Sequence, residues 1–329
     1  MNTPTPDPDS LLPRLGELRG ALAQAVVGQQ QVVEQLLIGL LAGGHCLLEG
    51  APGLGKTLLV RSLGQALELQ FRRVQFTPDL MPSDILGTEL LEEDHGTGKR
   101  AFRFQQGPVF TNLLLADELN RTPPKTQAAL LEAMQEHTVS YAGTTYALPS
   151  PFFVLATQNP IEQAGTYPLP EAQLDRFLLH VRVDYPSETE ERDILAQTTG
   201  SANGSVPKVM DAAAVLALQA MVREVHVGAD LLTWITRLVR ASRPGDGAPA
   251  EVNDWIKWGA GPRAGQSLVL AAKARALLHG RFAATREDVQ ALAAPVMRHR
   301  LLLSFAAEAE QKSADDVIAA LLRAVPYPA

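Results

Sequence analysis

The sequence predicts an α/β domain with a mainly parallel sheet flanked by helices, followed by a small all-helical domain. Three observations carry this. Short apolar runs of strand length alternate with helix-period segments through residues 11–200, the pattern of a parallel sheet covered on both faces. From 201 to 329 the chain is Ala/Leu-rich with helical spacing and capping signals such as Thr285 three residues before Asp288. Between the two lies a loop-rich linker, TGSANGSVPK at 199–208.

Composition narrows the function classes. The chain has 329 residues and a net charge of −7, which argues mildly against non-specific binding to nucleic acid or anionic lipid. One cysteine, Cys46, excludes an intrachain disulfide and a cysteine-rich zinc site. No stretch approaches the length of a membrane span. The start, MNTPTPDPDS, is Pro- and Asp-rich and lacks a secretion signal, so residues 1–10 are expected to be a disordered tail. The default location is the cytoplasm.

The elements follow in order. Residues 11–26 and 29–42 read as two helices broken near Gly28, the second stopped by Gly43 and Gly44. HCLLE (45–49) reads as a buried strand, with His45 and Cys46 serving core packing. GAPGLGKT (50–57) comes next, and TLLVRSLGQALEL (57–69) continues as a helix. VQFTPDL (74–80) looks like a strand leading into a loop. Two β-like pieces, TELLEE and AFRFQQG, precede the strand LLLADE (113–118). KTQAALLEAMQE (125–136) is helical, and 137–150 reads as a hairpin turning at Ala142-Gly143. PFFVLATQN (151–159) and FLLHVRVD (177–184) are further strands, and SETEERDILAQ is helical.

GAPGLGKT matches G-x-x-x-x-G-K-[ST] and stands between a predicted strand and a predicted helix, the context that a phosphate-binding loop requires. Its residues Gly50, Ala51, Pro52, Gly53, Leu54, Gly55, Lys56, Thr57 and Leu58 are the candidate nucleotide-binding set. The glycines let backbone N–H groups face phosphate oxygens at a helix N-terminus. Lys56 would reach the β- and γ-phosphates, and Thr57 would give its hydroxyl to magnesium.

Asp117 and Glu118 end an apolar strand about sixty residues later, where a ligand of an open α/β sheet sits. As strand neighbours their side chains are expected on opposite faces. That suits two jobs: Asp117 holding magnesium, Glu118 activating the attacking water. Asn159 ends another apolar run and would lie beside the γ-phosphate if the two strands are neighbours. Arg176, before an apolar strand, could reach a nucleotide on an adjacent subunit. Arg263, at a helix start, could touch a γ-phosphate.

The ordered set GAPGLGKT, LLLADELNR, FVLATQN, LPEAQLDRF and GPRAGQSL resembles the AAA+ ATPase superfamily. More narrowly, ADELNRTPPKTQAALLEAMQE, LATQNPIEQAGTYPLPEAQLDRF and REDVQALAAPVMRHRL resemble the MoxR family, of the helix-2-insert clade, over residues 27–303. The resemblance implies a P-loop AAA+ core with a helical lid, binding and hydrolysing ATP with Mg2+ as a homo-oligomer, most simply a hexamer. It implies that Arg176 acts in trans, and leaves open whether Arg263 serves its own or the neighbouring site. It places two clade hairpins at 84–106 and 137–151. The implied role is chaperone-like remodelling of a protein client together with a von Willebrand factor A domain protein. Where many relatives have a serine before the proline, this chain reads GAGPR but keeps the arginine.

Two other readings share these motifs: a nucleic-acid translocase and a magnesium-chelatase-type subunit. The second hairpin, HTVSYAGTTYALPSP, has no Lys or Arg to grip phosphates. The first sets Glu92, Glu93 and Asp94 against Lys99, Arg100 and Arg103. Tyr141 and Tyr146 suit gripping a polypeptide or strand packing.

Overall fold

A computed structural model describes residues 8–26, 28–51, 53–93, 100–159, 165–198 and 206–328. In chain order the elements are α1 (Pro8–Ala25), α2 (Gln30–Leu41), β1 (Cys46–Gly50), α3 (Lys56–Ala66), β2 (Phe71–Gln75), α4 (Pro82–Leu86), β3 (Gly87–Glu93), β4 (Arg100–Gln106) and β5 (Leu113–Asp117). Then come α5 (Pro124–Glu136), the hairpin β6 (Thr138–Tyr141) and β7 (Thr144–Ala147), β8 (Phe153–Gln158), α6 (Glu171–Leu174), β9 (Leu179–Val183) and α7 (Glu188–Thr198). The C-terminal part is α8 (Ala212–Glu224), α9 (Ala229–Ala241), α10 (Ala250–Trp255), β10 (Ile256–Trp258), α11 (Pro262–Leu278), α12 (Arg286–Met297), β11 (Leu302–Leu303), α13 (Phe305–Ala309) and α14 (Ala314–Ala324).

The central sheet has five strands in the order β2-β5-β8-β1-β9, all paired in parallel. Side-chain alternation divides its residues between two cores. Cys46, Leu48, Leu113, Leu115, Phe153 and Leu155 face one core; Leu47, Leu114, Ala116, Val154 and Ala156 face the other. The first core joins the sheet to α1–α3 and to the C-terminal helices through residues such as Leu36, Leu218, Leu268 and Leu292. The second lies under α5 and the two hairpins, with Phe76, Leu130, Met134 and Phe177. Burial on both faces explains why these strands read as unbroken apolar runs.

Several sequence expectations shift. Residues 8–10 form the first turn of α1 rather than a tail, because Pro8 suits a helix start and Leu11 is fully buried. Residues 1–7 lie outside the described residues, as do 94–99 of the first hairpin and 199–205 of the linker, where the expected division at residue 200 falls. Val209 and Met210 donate backbone N–H groups to the Ala66 carbonyl, so the chain re-enters against the end of α3. The helix expected through Leu69 stops at Ala66, with Glu68 in the left-handed region (φ 47°). The next strand is therefore early: β2 covers residues 71–75 instead of 74–80, in register with β5 from Phe71 opposite Leu113. The hairpin turn at Ala142-Gly143 has positive φ at both residues (48° and 80°), as a tight hairpin turn demands. Tyr141 and Tyr146 pack rather than project: Tyr146 stacks on Phe104 at 4.4 Å and Tyr141 lies 5.2 Å from the same ring, tying the two hairpins together. The capping box of α12 forms as read, Thr285 N–H donating to Asp288 at 2.9 Å.

His45 and Cys46 are core residues as expected. Val154 N–H donates to His45 Nδ1 at 3.1 Å, so Nε2 carries the proton and donates to the Met134 carbonyl at 3.0 Å. Burial lowers the His45 pKa from 6.5 to about 4. The unfolded chain binds this proton below about pH 6.5 while the folded chain refuses it until about pH 4. Stability is thus expected to fall as pH drops through that window, by about 3 kcal/mol in full. Denaturant titration at pH 7 and pH 4.5 checks this. His45→Gln, which keeps one donor and one acceptor, should remove this contribution to the pH dependence.

Candidate active site

The carboxyl ends of β1, β8 and β5 are adjacent and feed one pocket of about 400 Å³. Gly53, Gly55, Lys56 and Thr57 line it after β1, Asp117 and Glu118 after β5, and Thr157 and Asn159 at the end of β8. Arg73 and Gln75 of β2 complete it. Seven of the sequence-predicted residues therefore meet, and Asn159 does neighbour the acids. Ala51 is buried beside the loop, Leu54 packs against the first core, and Leu58 is exposed on α3. Pro52 lies outside the described residues.

The glycines divide by cause. Gly53 (φ 84°) and Gly55 (φ 73°) adopt left-handed backbone, Gly55 as the residue that opens α3. Gly50 instead ends β1 where a Cβ would come within 2.5 Å of the Val183 carbonyl on β9. Its place is set by close strand packing as well as by the turn. Lys56 Nζ donates to the Gly50 carbonyl. Burial pulls its pKa below the ordinary lysine value, while Asp117, Glu118 and Glu49 pull it back up.

The two acids are not disposed as the sequence suggested. Asp117 ends β5, but Glu118 has left the strand: its backbone is left-handed (φ 57°, ψ 48°) and starts a short 3-10 turn over Leu119–Arg121. Strand alternation therefore stops at Asp117, and both carboxylates enter the same pocket. Such backbone costs of order 1 kcal/mol in a non-glycine residue and persists only where neighbours over-determine it. Here they do. Thr157 Oγ donates to Asp117 Oδ1 at 2.6 Å and accepts the Glu118 N–H at 2.8 Å. Glu118 Oε2 takes bonds from Gln75 Nε2 at 2.6 Å and Arg121 at 2.9 Å. Asp117 Oδ2 pairs with Arg73 at 2.7 Å.

Arg73, Gln75, Arg121 and Thr157 were not singled out from the sequence. A signal existed for two of them. Arg73 and Gln75 alternate on a strand in register with β5, Gln75 opposite Asp117. Thr157 is hidden inside an apolar run and marked only by sharing Asp117's parity.

Arg176 and Arg263 lie elsewhere. With Asp175 and Arg300 they line a second depression of about 210 Å³, next to Gly44 and His45 before the start of β1. The phosphate loop follows the other end of that strand, about 15 Å away at strand rise. Arg263 pairs with Asp175 at 3.6 Å. Arg300 is buried. It donates to the Asp175 carboxylate at 2.7 Å, to the carbonyls of Asp175, Phe177, Leu178 and Val296, and to Ser267 Oγ at 3.2 Å. It thereby fixes the backbone on both sides of Arg176 from the end of α12.

Comparisons with known proteins agree with this architecture. The sequence pattern of the ATPase family associated with various cellular activities (AAA) matches residues 45–179, and that of the AAA lid domain matches residues 250–321. Chaperone MoxR1 of Mycobacterium tuberculosis is 44% identical over 92% of this chain and 79% of its own. Protein MoxR of Paracoccus denitrificans is 34% identical over 96% and 97%. The chain belongs to the MoxR family of AAA+ ATPases. A crystal structure of a Cytophaga hutchinsonii protein assigned as an ATPase superposes with a TM-score of 0.89 at 40% identity, covering 97% of this chain and 96% of that one. As a MoxR-family member the chain is a chaperone-like, ATP-hydrolysing enzyme.

Two variants probe the frame of the site. Thr157→Val keeps the shape but deprives Asp117 and the Glu118 N–H of their shared partner. It should lower stability by about 2 kcal/mol in denaturant titration, with ATP turnover reduced. Arg300→Gln strips a buried guanidinium from several carbonyls and a carboxylate, and should cost about 3 kcal/mol by the same measurement.

Proposed function

We propose that this MoxR-family ATPase works as a ring-shaped homo-oligomer, a hexamer, whose hydrolysis sites are completed between subunits. The observation that carries the reading is the separation of Arg176 and Arg263 from their own phosphate loop by the length of β1. Two guanidiniums in one depression at the far end of the sheet are of use to a γ-phosphate only if it belongs to another copy. On this reading both arginines act in trans. Asp117 and Thr57 hold Mg2+, Lys56 the phosphates, and Glu118 activates water with Asn159 beside it. The donors fit the ion: a carboxylate and a hydroxyl are hard oxygen ligands, and magnesium keeps water and phosphate oxygens for its other positions. Among the described residues no group of three or more His, Cys, Asp or Glu side chains forms an all-protein cage. Gln75 and Arg121 hold the Glu118 carboxylate, so activation of water requires it to be released or shared.

The client in this reading is a protein, handled with a von Willebrand factor A domain partner in the cytoplasm. Its support is the first hairpin. Arg100 pairs with Glu93 at 2.8 Å and Arg103 with Glu92 at 3.5 Å, which leaves little charge among the hairpin's described residues to grip phosphates. Leu91 and Phe102 are exposed on the same hairpin, 55% and 71%, as a polypeptide-contacting surface would be. No helix among the described residues is long and apolar enough to cross a membrane.

Glu118→Gln should retain ATP binding while turnover falls by about 10²-fold or more. Arg176→Ala should bind ATP normally and lose about 10³-fold in turnover. Mixing the two chains should restore part of the activity, because some interfaces then pair an intact Glu118 with an intact Arg176. Steady-state ATPase assays of the mixtures check this; no recovery at any ratio would refute action in trans.

A further inference from the structure

A broad groove on the described surface is remote from the phosphate pocket. It lies between α9 and α11 and encloses about 740 Å³. Its floor is apolar, with Ile235 and Val239 from α9 and Val269 and Leu270 from α11. Its rim carries Arg223, Arg240 and Arg243, and among the described residues no acidic one lines it. All three arginines are exposed, and none has an ion pair among the described residues. A basic-rimmed apolar groove on a chain of net charge −7 calls for an acidic, partly apolar occupant.

Gly265 sharpens this. It sits inside α11, where glycine weakens a helix by about 0.5–1 kcal/mol relative to alanine. A Cβ there would make only ordinary contacts with Ile235 and Val239, at 3.8 Å. Neither backbone nor packing excludes a side chain, so the glycine's effect is to leave the groove deep. The floor positions of α11 run from Pro262 to Leu270, about 12 Å along the axis, or two turns of an opposing helix.

Two further observations indicate the occupant. The groove shares Gln266 and Leu270 with the depression that holds Arg176 and Arg263. If those arginines reach the neighbour's nucleotide, the groove lies beside the neighbour's phosphate pocket. That pocket is flanked by α7: a Cβ on Gly28 would touch Glu190 at 2.8 Å, and the adjoining Gln29 donates to the Leu54 carbonyl of the phosphate loop at 2.8 Å. Helix α7 exposes Glu188 and Glu191, with Leu195, 58% exposed, one turn further on the same side. Carboxylates beside an exposed leucine complement arginines above an apolar floor.

We propose that the α9–α11 groove of one copy seats helix α7 of the next, locking the C-terminal helices over the neighbour's nucleotide site. This rests on the reading that Arg176 and Arg263 act in trans. Arg223→Glu/Arg240→Glu in one chain and Glu188→Arg/Glu191→Arg in another should each raise the concentration for half-assembly by about tenfold. Sedimentation velocity with ATP reads this, thermal unfolding confirms that each variant is folded, and the effect should shrink at high salt. The chain carrying all four reversals should assemble again, an outcome that a merely structural role would not give. Unchanged assembly in either double variant, or no recovery in the quadruple, overturns the proposal. If mixed Glu118→Gln and Arg176→Ala chains recover activity while the reversals change nothing, the docking fails and the trans reading stands. If there is no recovery and the wild type never assembles, both fall. Loss of binding to fluorescent single-stranded DNA or to an acidic partner protein in the groove variant, with assembly intact, assigns the groove to that ligand and overturns the proposal.

Discussion

The hydroxyl of Thr157 is the bond on which the site depends. A buried strand that ends in two carboxylates has to satisfy both, or it loses several kcal/mol or the charge itself. Thr157 donates to Asp117 and accepts from the backbone of Glu118, so one side chain on β8 orders both the last residue of β5 and the turn that follows it. The turn it stabilises takes Glu118 out of strand geometry and into the pocket. Parallel pairing of β5 with β8 makes this possible, because it places their carboxyl ends side by side.

Charge balance around that bond is close. Arg73 neutralises Asp117, Arg121 and Gln75 hold Glu118, and Lys56 stands among three carboxylates. On the proposed reading, a nucleotide and a divalent cation entering this pocket would meet groups already paired with one another, so binding would exchange partners rather than fill an unpaired site. Such exchange links occupancy to the position of β2 and of the turn after β5.

The second depression is built by the opposite end of the molecule. Arg300 reaches from the end of α12 to the carbonyls around Arg176, and Asp175 joins it to Arg263. A single core runs from the sheet into the C-terminal helices. The two arginines are therefore held by both parts of the chain, and a movement of the helices would be felt at Arg176 through rigid contacts. The exposed hairpins lie on the other core.

Much was legible along the chain. The alternation of strands and helices, the phosphate loop, the paired acids, Asn159 and the capping of α12 are local patterns, each written in a few consecutive residues, and they follow from periodicity, backbone freedom and capping chemistry. The start of α1, the place of β2 and the turn at Glu118 were misread, because each is decided by burial or by register with a distant strand. Arg73, Gln75 and Thr157 gave no motif, since a hydrogen bond across a sheet joins residues about forty positions apart. By itself the sequence determined which chemistry the strand ends could present, because residue types and their spacing are local. Only the tertiary structure decided which ends meet: sheet order places β1, β8 and β5 together, and strand length holds Arg176 and Arg263 away from them.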